Sequence, residues 1–423
     1  MTGDYDVNKR ISGQINVSYQ VKPWLKVGTN NSIERGYTHI VSSNIGFAST
    51  GSAIGGAYYY DPTTPVVYNS DSDIPSATGL LAAEAAGYNV YRDEQGRMYG
   101  QSLLFNSNLW NPLLMRYVVT SFFFTNQPFE TWRFNVNGTI YANATLFKEI
   151  VFTSRLGYRM GNNYGKGYHP TYWINSSQST TTPTIMGTSS NNIYYQWENF
   201  ANWNHTFAKK HDVNVMAGMD FSQTRYETIN ARANGLTNTA ENFRYLSYYL
   251  TTASTRVMGG SDYSRYNMSF FTRAGYTYDN KYNVQASFRA DAYDSSKLSK
   301  KSRWGYFPSL SAGWTVSNEP FFKDNIGRNA ISFLKLRASW GINGNINSLS
   351  DFQYTTAMSL SGQYNMNDTG LITNANPSTI LANENLKWEE SRQIDAGLDA
   401  RFFADRLSLP ADKYMPVITK AWN

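Results

Sequence analysis

Residues Arg10–Val21 read RISGQINVSYQV, and this stretch decides the fold class. Ile11, Gly13, Ile15, Val17, Tyr19 and Val21 hold alternate positions, and Arg10, Ser12, Gln14, Asn16, Ser18 and Gln20 fill the others. Coiled into a helix, the stretch would carry no apolar stripe. Extended, it has one oily and one wet face. The same period of two returns in Trp132–Ile140, Val213–Phe221, Lys281–Asp291, Ser309–Val316, Leu334–Ile342 and Gln393–Phe402. About thirteen segments of roughly ten residues follow it, the length a tilted strand needs to cross a bilayer.

Alternation alone does not name the solvent, because a soluble sandwich alternates too, with its apolar face turned inward. The connections discriminate. Short turns are expected at Lys22-Pro23, Ala142 to Phe147, Ala208 to Asp212, Asp279-Asn280 and Ala404-Asp405, and long loops over 34–130, 161–193, 225–263 and 344–391. Short turns alternating with long loops describe an antiparallel up-and-down transmembrane β-barrel with long extracellular loops. Tyr19, Trp24, Tyr276, Tyr278 and Tyr282 fall near strand ends, where a lipid–water girdle would lie. Within the first loop, Ser76–Gly87 reads as one helix, capped by Ser76 and ended by Gly87. Leu109–Phe124 reads as loop leading into a strand.

Composition agrees. The 423 residues are 16% charged, below the ~25% usual for soluble domains, and 16% aromatic, with 32 Tyr. Mean hydropathy is -0.48, and no run of ~18 apolar residues suggests a membrane helix. The net charge of +6 is no argument for nucleic acid. The absence of Cys excludes disulfides, thiolate metal sites and a Cys nucleophile.

No catalytic or cofactor motif emerges. His39, His169, His205 and His211 are scattered without metal-ligand spacing. Asp71/Asp73 and Asp4/Asp6 lack the spacing of a calcium loop. Asp291/Asp294 and Glu389/Glu390 read as charges in loops or on a wet wall rather than acid/base pairs. Recognition by aromatic loops remains. Tyr58, Tyr59 and Tyr60, with Tyr168, Tyr172 and Trp173, sit among Gly, Asn, Ser and Thr, a mixture that suits sugar or peptide ligands. The same rings could simply pack the loops together.

The run Arg273–Tyr278, then Arg289-Ala290-Asp291, then Trp304–Ser309 and Ala312-Gly313-Trp314, resembles the barrel signature of SusC/RagA-type TonB-dependent transporters. Phe333–Asn345 (FLKLRASWGINGN) and Asn383–Leu407 (NENLKWEESRQIDAGLDARFFADRL) are similar to two further family segments, and Asn111-Pro112-Leu113 also fits. The sequence departs at Ala292-Tyr293, within Asp291–Ser296, where the family usually has DGSS. The resemblance spans roughly 5–409. It implies an outer-membrane importer of glycans or peptides: a large barrel, about 22-stranded in this family, plugged by an N-terminal domain. A SusD-like outer-membrane lipoprotein would be its lid and the TonB complex its power source. No enzyme activity and no cofactor are implied. The runner-up reading is a surface-exposed β-rich carbohydrate-binding protein or adhesin, and a β-rich hydrolase is disfavoured.

Within this frame, residues 1–409 are expected to be part of the receptor barrel, without signal peptide, TonB box or plug. Residues 410–423 are expected to be an aberrant or truncated tail, because Pro410 should interrupt a strand. A frameshifted or incomplete reading frame is the corresponding expectation. Two open edges would each expose about five unpaired N–H and five C=O groups. In hydrocarbon these cost several kcal/mol apiece, so the chain alone is expected not to be a working pore.

Overall fold

The computed structural model describes residues 7–39, 58, 60–74, 77–100, 111, 130–169, 171–175, 178–235, 241–247, 256–325, 331–356, 358–365, 371–377 and 382–419. In chain order the strands are β1 (Val7–Lys22), β2 (Leu25–His39), β3 (Asn89–Val90), β4 (Glu130–Leu146), β5 (Ile150–His169), β6 (Tyr172–Asn175), β7 (Gln178–Thr180), β8 (Thr184–Phe207) and β9 (His211–Asn234). They continue as β10 (Arg256–Tyr278), β11 (Tyr282–Tyr293), β12 (Trp304–Thr315), β13 (Ile331–Asn345), β14 (Met358–Asn365), β15 (Leu371–Pro377), β16 (Glu389–Phe402) and β17 (Leu407–Thr419). Helices α1 (Ala77–Ala85) and α2 (Pro320–Asn325) complete the set.

Twelve strands form one antiparallel sheet in the order β1-β2-β4-β5-β8-β9-β10-β11-β12-β13-β16-β17, with β1 and β17 at its edges. Every step pairs strands that follow one another along the chain, apart from small inserted elements, which is up-and-down topology. The sheet does not close on itself. Against the expected thirteen or so crossing segments, the described residues form twelve. They are also longer than the expected ten residues: β8 and β9 have 24 each and β10 has 23. The apolar alternation marks only the part of a strand that meets lipid. Beyond it, the backbone ladder continues through a more polar stretch, Thr224 to Ala233, paired with Arg256 to Arg265.

The register keeps the alternation coherent across the whole sheet. Ile15, Asn31, Gly138, Tyr158, Tyr195 and Gln223 stand opposite one another in turn, and so do Ala274, Ala286, Leu310, Trp340 and Ile394. All lie on the face that carries the oily residues. A one-residue slip anywhere would exchange the two faces.

Three tight turns pair successive residues with positive φ: Phe147-Lys148, Ala208-Lys209 and Asp279-Asn280. Positive φ at both central residues is the turn whose twist matches that of the flanking strands. The first of these turns begins later than expected, because β4 runs on through Ala144 to Leu146 and pairs with Ile150. Ser76–Gly87 becomes α1, closed by Gly87 at φ 74, with Ser76 outside the described residues, as is all of Leu109–Phe124 except Asn111.

The expected interruption at Pro410 does not occur. Pro410 pairs with Asp399 and Pro416 with Gln393 in the ladder between β16 and β17. The two prolines are an even number of residues apart, so their nitrogens face the same way. A nitrogen without hydrogen is tolerated where it points off the outer edge of a sheet, and β17 is such an edge.

Among the described residues the larger buried clusters involve the loops, and a smaller one, Ile185 with Ala233, lies at the long-loop end of β8 and β9. Leu80, Ala83, Tyr68, Ile74, Met98 and Trp173 form one cluster, drawing together the first and second long loops through parallel pairing of β3 with β6. Leu298, Ile346, Leu349 and Leu386 form another, closed by Tyr293, Tyr354 and Trp388.

Candidate functional site: the polar wall of the sheet

The oily face is bounded by two belts of rings. At the short-turn end Tyr278, Tyr282 and Trp314 stack in series, with ring centroids 6.4 and 6.3 Å apart. Next along this rim, Trp203, His205 and Phe207 share the outward face of β8. Carboxylates fix both groups. Glu149 accepts hydrogen bonds from Trp203 Nε1 at 3.0 Å and faces His205 Nδ1 at 2.7 Å. Glu319 accepts from Trp314 Nε1 at 3.1 Å and lies 3.7 Å from Lys281 Nζ. Bonds from Trp203 and His205 hold the Glu149 carboxyl below its usual range, and the Tyr282 hydroxyl, followed by Trp314, does the same for Glu319. At the long-loop end Tyr37, Trp132 and Tyr164 adjoin across three strands, 5.4 and 5.5 Å apart. Phe270 with Trp304 and Phe288 with Tyr306 continue the belt.

The opposite face is polar and charged. Arg155 holds Glu198 across the ladder at 2.5 Å. Gln196 Nε2 donates to Asp220 at 3.1 Å. Arg289 donates to Asp291 at 2.7 Å and to Ser269 at 2.8 Å, and approaches Asp220 at 3.7 Å. Further along, Arg337 binds Asp399 at 3.1 Å and Asp412 at 2.7 Å, with Asp395 at 4.0 Å. These pairs cross β5, β8, β9, β10, β11, β13, β16 and β17, so much of the charge on the wet wall is neutralised across the ladder. Within it lies a depression of about 470 Å³ with Asn214, Gln285, Ser311, Lys335 and Ser339 in its lining. Two glycines make room in its floor. A Cβ on Gly275 would stand 2.6 Å from the Asn214 amide, and one on Gly313 would stand 3.1 Å from Lys335 Cε, so both side chains lie flat against the wall.

The described aromatic loop residues differ in their surroundings. Tyr58 is 67% exposed. Tyr59 lies outside the described residues. Tyr60 is half-buried against Gly100, and burial pushes its hydroxyl up from the usual range. Tyr168 packs on Ile185 and Ala233, with the Arg244 guanidinium 4.1 Å above its ring. Tyr172 and Trp173 are 5% and 6% exposed, and Trp173 lies within the loop core beside Leu80. Asn214 lies outside every motif, and Lys335 and Arg337 fall within the family-like segment Phe333–Asn345, which gave them no role of their own. The signal that reaches them is their place on the polar side of the alternation.

An outward oily band between two aromatic belts, backed by a charged wall, defines a β-barrel wall of the outer-membrane type. The chain belongs to the family described as TonB dependent receptor-like, beta-barrel, whose family model matches residues 68–412, and it is an outer-membrane protein of the kind found in Bacteroidota. It is 29% identical over 382 residues to the TonB-dependent receptor SusC of Bacteroides thetaiotaomicron, covering 87% of this chain and 34% of that one. It is 31% identical over 297 residues to the TonB-dependent receptor P39 of Formosa agariphila, covering 69% of this chain and 26% of the relative. Among solved structures, the RagAB peptide importer in its closed-closed state has the same fold, with a TM-score of 0.71 at 20% identity over 98% of this chain and 40% of that one. The chain therefore spans between about a quarter and a third of the length of the relatives it matches.

Proposed function

We propose that these strands form part of the wall of a TonB-linked importer that carries a glycan or a peptide across the outer membrane, with no bond chemistry. The observation that carries this reading is the split between the two faces: oily residues bounded by rings on one side, paired charges and amides on the other. A SusD-like lipoprotein lid and the TonB complex are the partners this reading assigns to the whole receptor. The folded lobe of the first two long loops, with Tyr58 exposed on it, is the first contact for cargo. The twelve strands conduct only within a closed wall.

Two measurements test this. The chain has no Cys, so single-cysteine variants label cleanly. In lipid vesicles Ser311→Cys should react with a water-soluble maleimide and the adjacent Leu310→Cys should not. Equal reactivity of the two would return the chain to the adhesin class. Disruption of the locus should abolish growth on one glycan or one peptide source, and unimpaired growth on both classes removes the importer reading.

A further inference from the structure

We propose that the depression beside Gly275 and Gly313 is a binding subsite for a carboxylate on the cargo, with the Lys335 ammonium as its cation. This rests on the wet wall being the lumen.

The argument begins with what Lys335 does not do. Register places Asp399 opposite it on β16 and Thr315 opposite it on β12. A cross-strand Lys–Asp pair is the ordinary outcome of such a register. Asp399 instead turns to Arg337, accepting from Nε at 3.1 Å and from Nη2 at 3.3 Å. Arg337 is engaged further by Asp412. Lys335 leans the other way, across Gly313 and into the depression. Among the described residues no carboxylate lies within ion-pair distance of its ammonium. A half-buried cation is thus aimed into a cavity while its natural partner is held elsewhere.

The rest of the lining is mixed: the Asp395 carboxylate also borders the depression, but it faces the Arg337 guanidinium at 4.0 Å, which likewise lines it, and the remaining polar groups are neutral. Asn214 lies flat over Gly275 and presents its amide from the opposite side. Asn283, between them, donates to Thr277 Oγ1 at 2.7 Å. Gln285, Ser311 and Ser339 supply further neutral donors. A carboxylate offers several acceptor positions and takes a point charge plus neutral donors well. A neutral sugar would leave the ammonium without a carboxylate at ion-pair distance.

The test uses the full chain in lipid vesicles, titrated calorimetrically with N-acetylated, C-amidated tetraglutamate and with the matching tetraglutamine. Saturable binding of tetraglutamate should weaken about tenfold in Lys335→Gln, the loss expected for one charge-assisted contact, and should persist in Lys335→Arg. Tetraglutamine binding should not respond to either variant. Lys148→Gln, at a short turn away from the depression, should bind like the parent. Absence of saturable tetraglutamate binding overturns the proposal, as does unchanged binding in Lys335→Gln or an equal loss in Lys148→Gln. Ser311→Cys labelling separates the two levels: labelling with unchanged peptide binding removes only the subsite, whereas failure to label removes the lumen reading itself.

Discussion

Trp304 and Trp314 occupy the first and eleventh positions of the 12-residue strand β12, on the same outward face, one in each aromatic belt. At ~3.3 Å per residue they stand roughly 33 Å apart along the strand. With the ~40° tilt of barrel strands this projects to about 25 Å, the height of the apolar band of an outer-membrane barrel. The strand thus measures the membrane, and Leu310, between the two rings, marks its middle.

Ala286 faces Leu310 on β11, so it sits near the midplane on the oily face. Ala286→Arg should destabilise the vesicle-inserted chain by about 2–4 kcal/mol. Gln285→Arg, one residue away on the wet wall, should change stability little. Urea unfolding followed by Trp fluorescence would compare them, and equal costs would contradict the assigned faces.

Asn31 is a polar side chain on the oily face, and it is satisfied within the protein. Tyr158 Oη donates to Asn31 Oδ1 at 2.7 Å, and Asn31 Nδ2 donates to Thr29 Oγ1 at 2.8 Å. Tyr158→Phe leaves the amide oxygen without this donor in hydrocarbon and should cost about 1–2 kcal/mol. Urea unfolding of the vesicle-inserted variant beside the parent measures this loss, and equal stability would show that the bond contributes nothing.

Glu319 and Glu149 govern the acid response of the short-turn belt. Both carboxyls are held below their ordinary values by hydrogen bonds to the ionised form. Their stabilising contribution is therefore complete above the usual carboxylate range and is lost as pH falls through the lowered folded value. Acid titration should shift Trp fluorescence below about pH 4. Glu319→Gln should remove the share of that step due to Trp314, and an unchanged titration would show that the clamp does not form.

Trp173 and Tyr58 should behave in opposite ways. Trp173 is buried in the loop core, so Trp173→Ala should cost about 3–5 kcal/mol locally and open the lobe to protease. Tyr58 is exposed, so Tyr58→Ala should leave protease resistance intact and lower cargo capture. Limited proteolysis separates the two, and rapid cleavage of the Tyr58 variant would assign that ring to packing.

The alternation in Arg10–Val21 and its counterparts determined by itself that this is an antiparallel sheet with an oily and a wet face, because a strand's side chains alternate whatever its neighbours do. The family was legible in segments such as Phe333–Asn345 for the same reason: these are local strings. Three features were decided only by tertiary structure. Strands such as β8 and β9 run well past the oily segments, because a ladder needs only a paired backbone. Pro410 remains within a strand, because β17 lies at an edge. Trp173 is drawn into a core and Lys335 is left without an acid, because register and loop packing choose partners far apart in the chain. A sequence states which way a side chain points, but what meets it there depends on the strands and loops brought alongside.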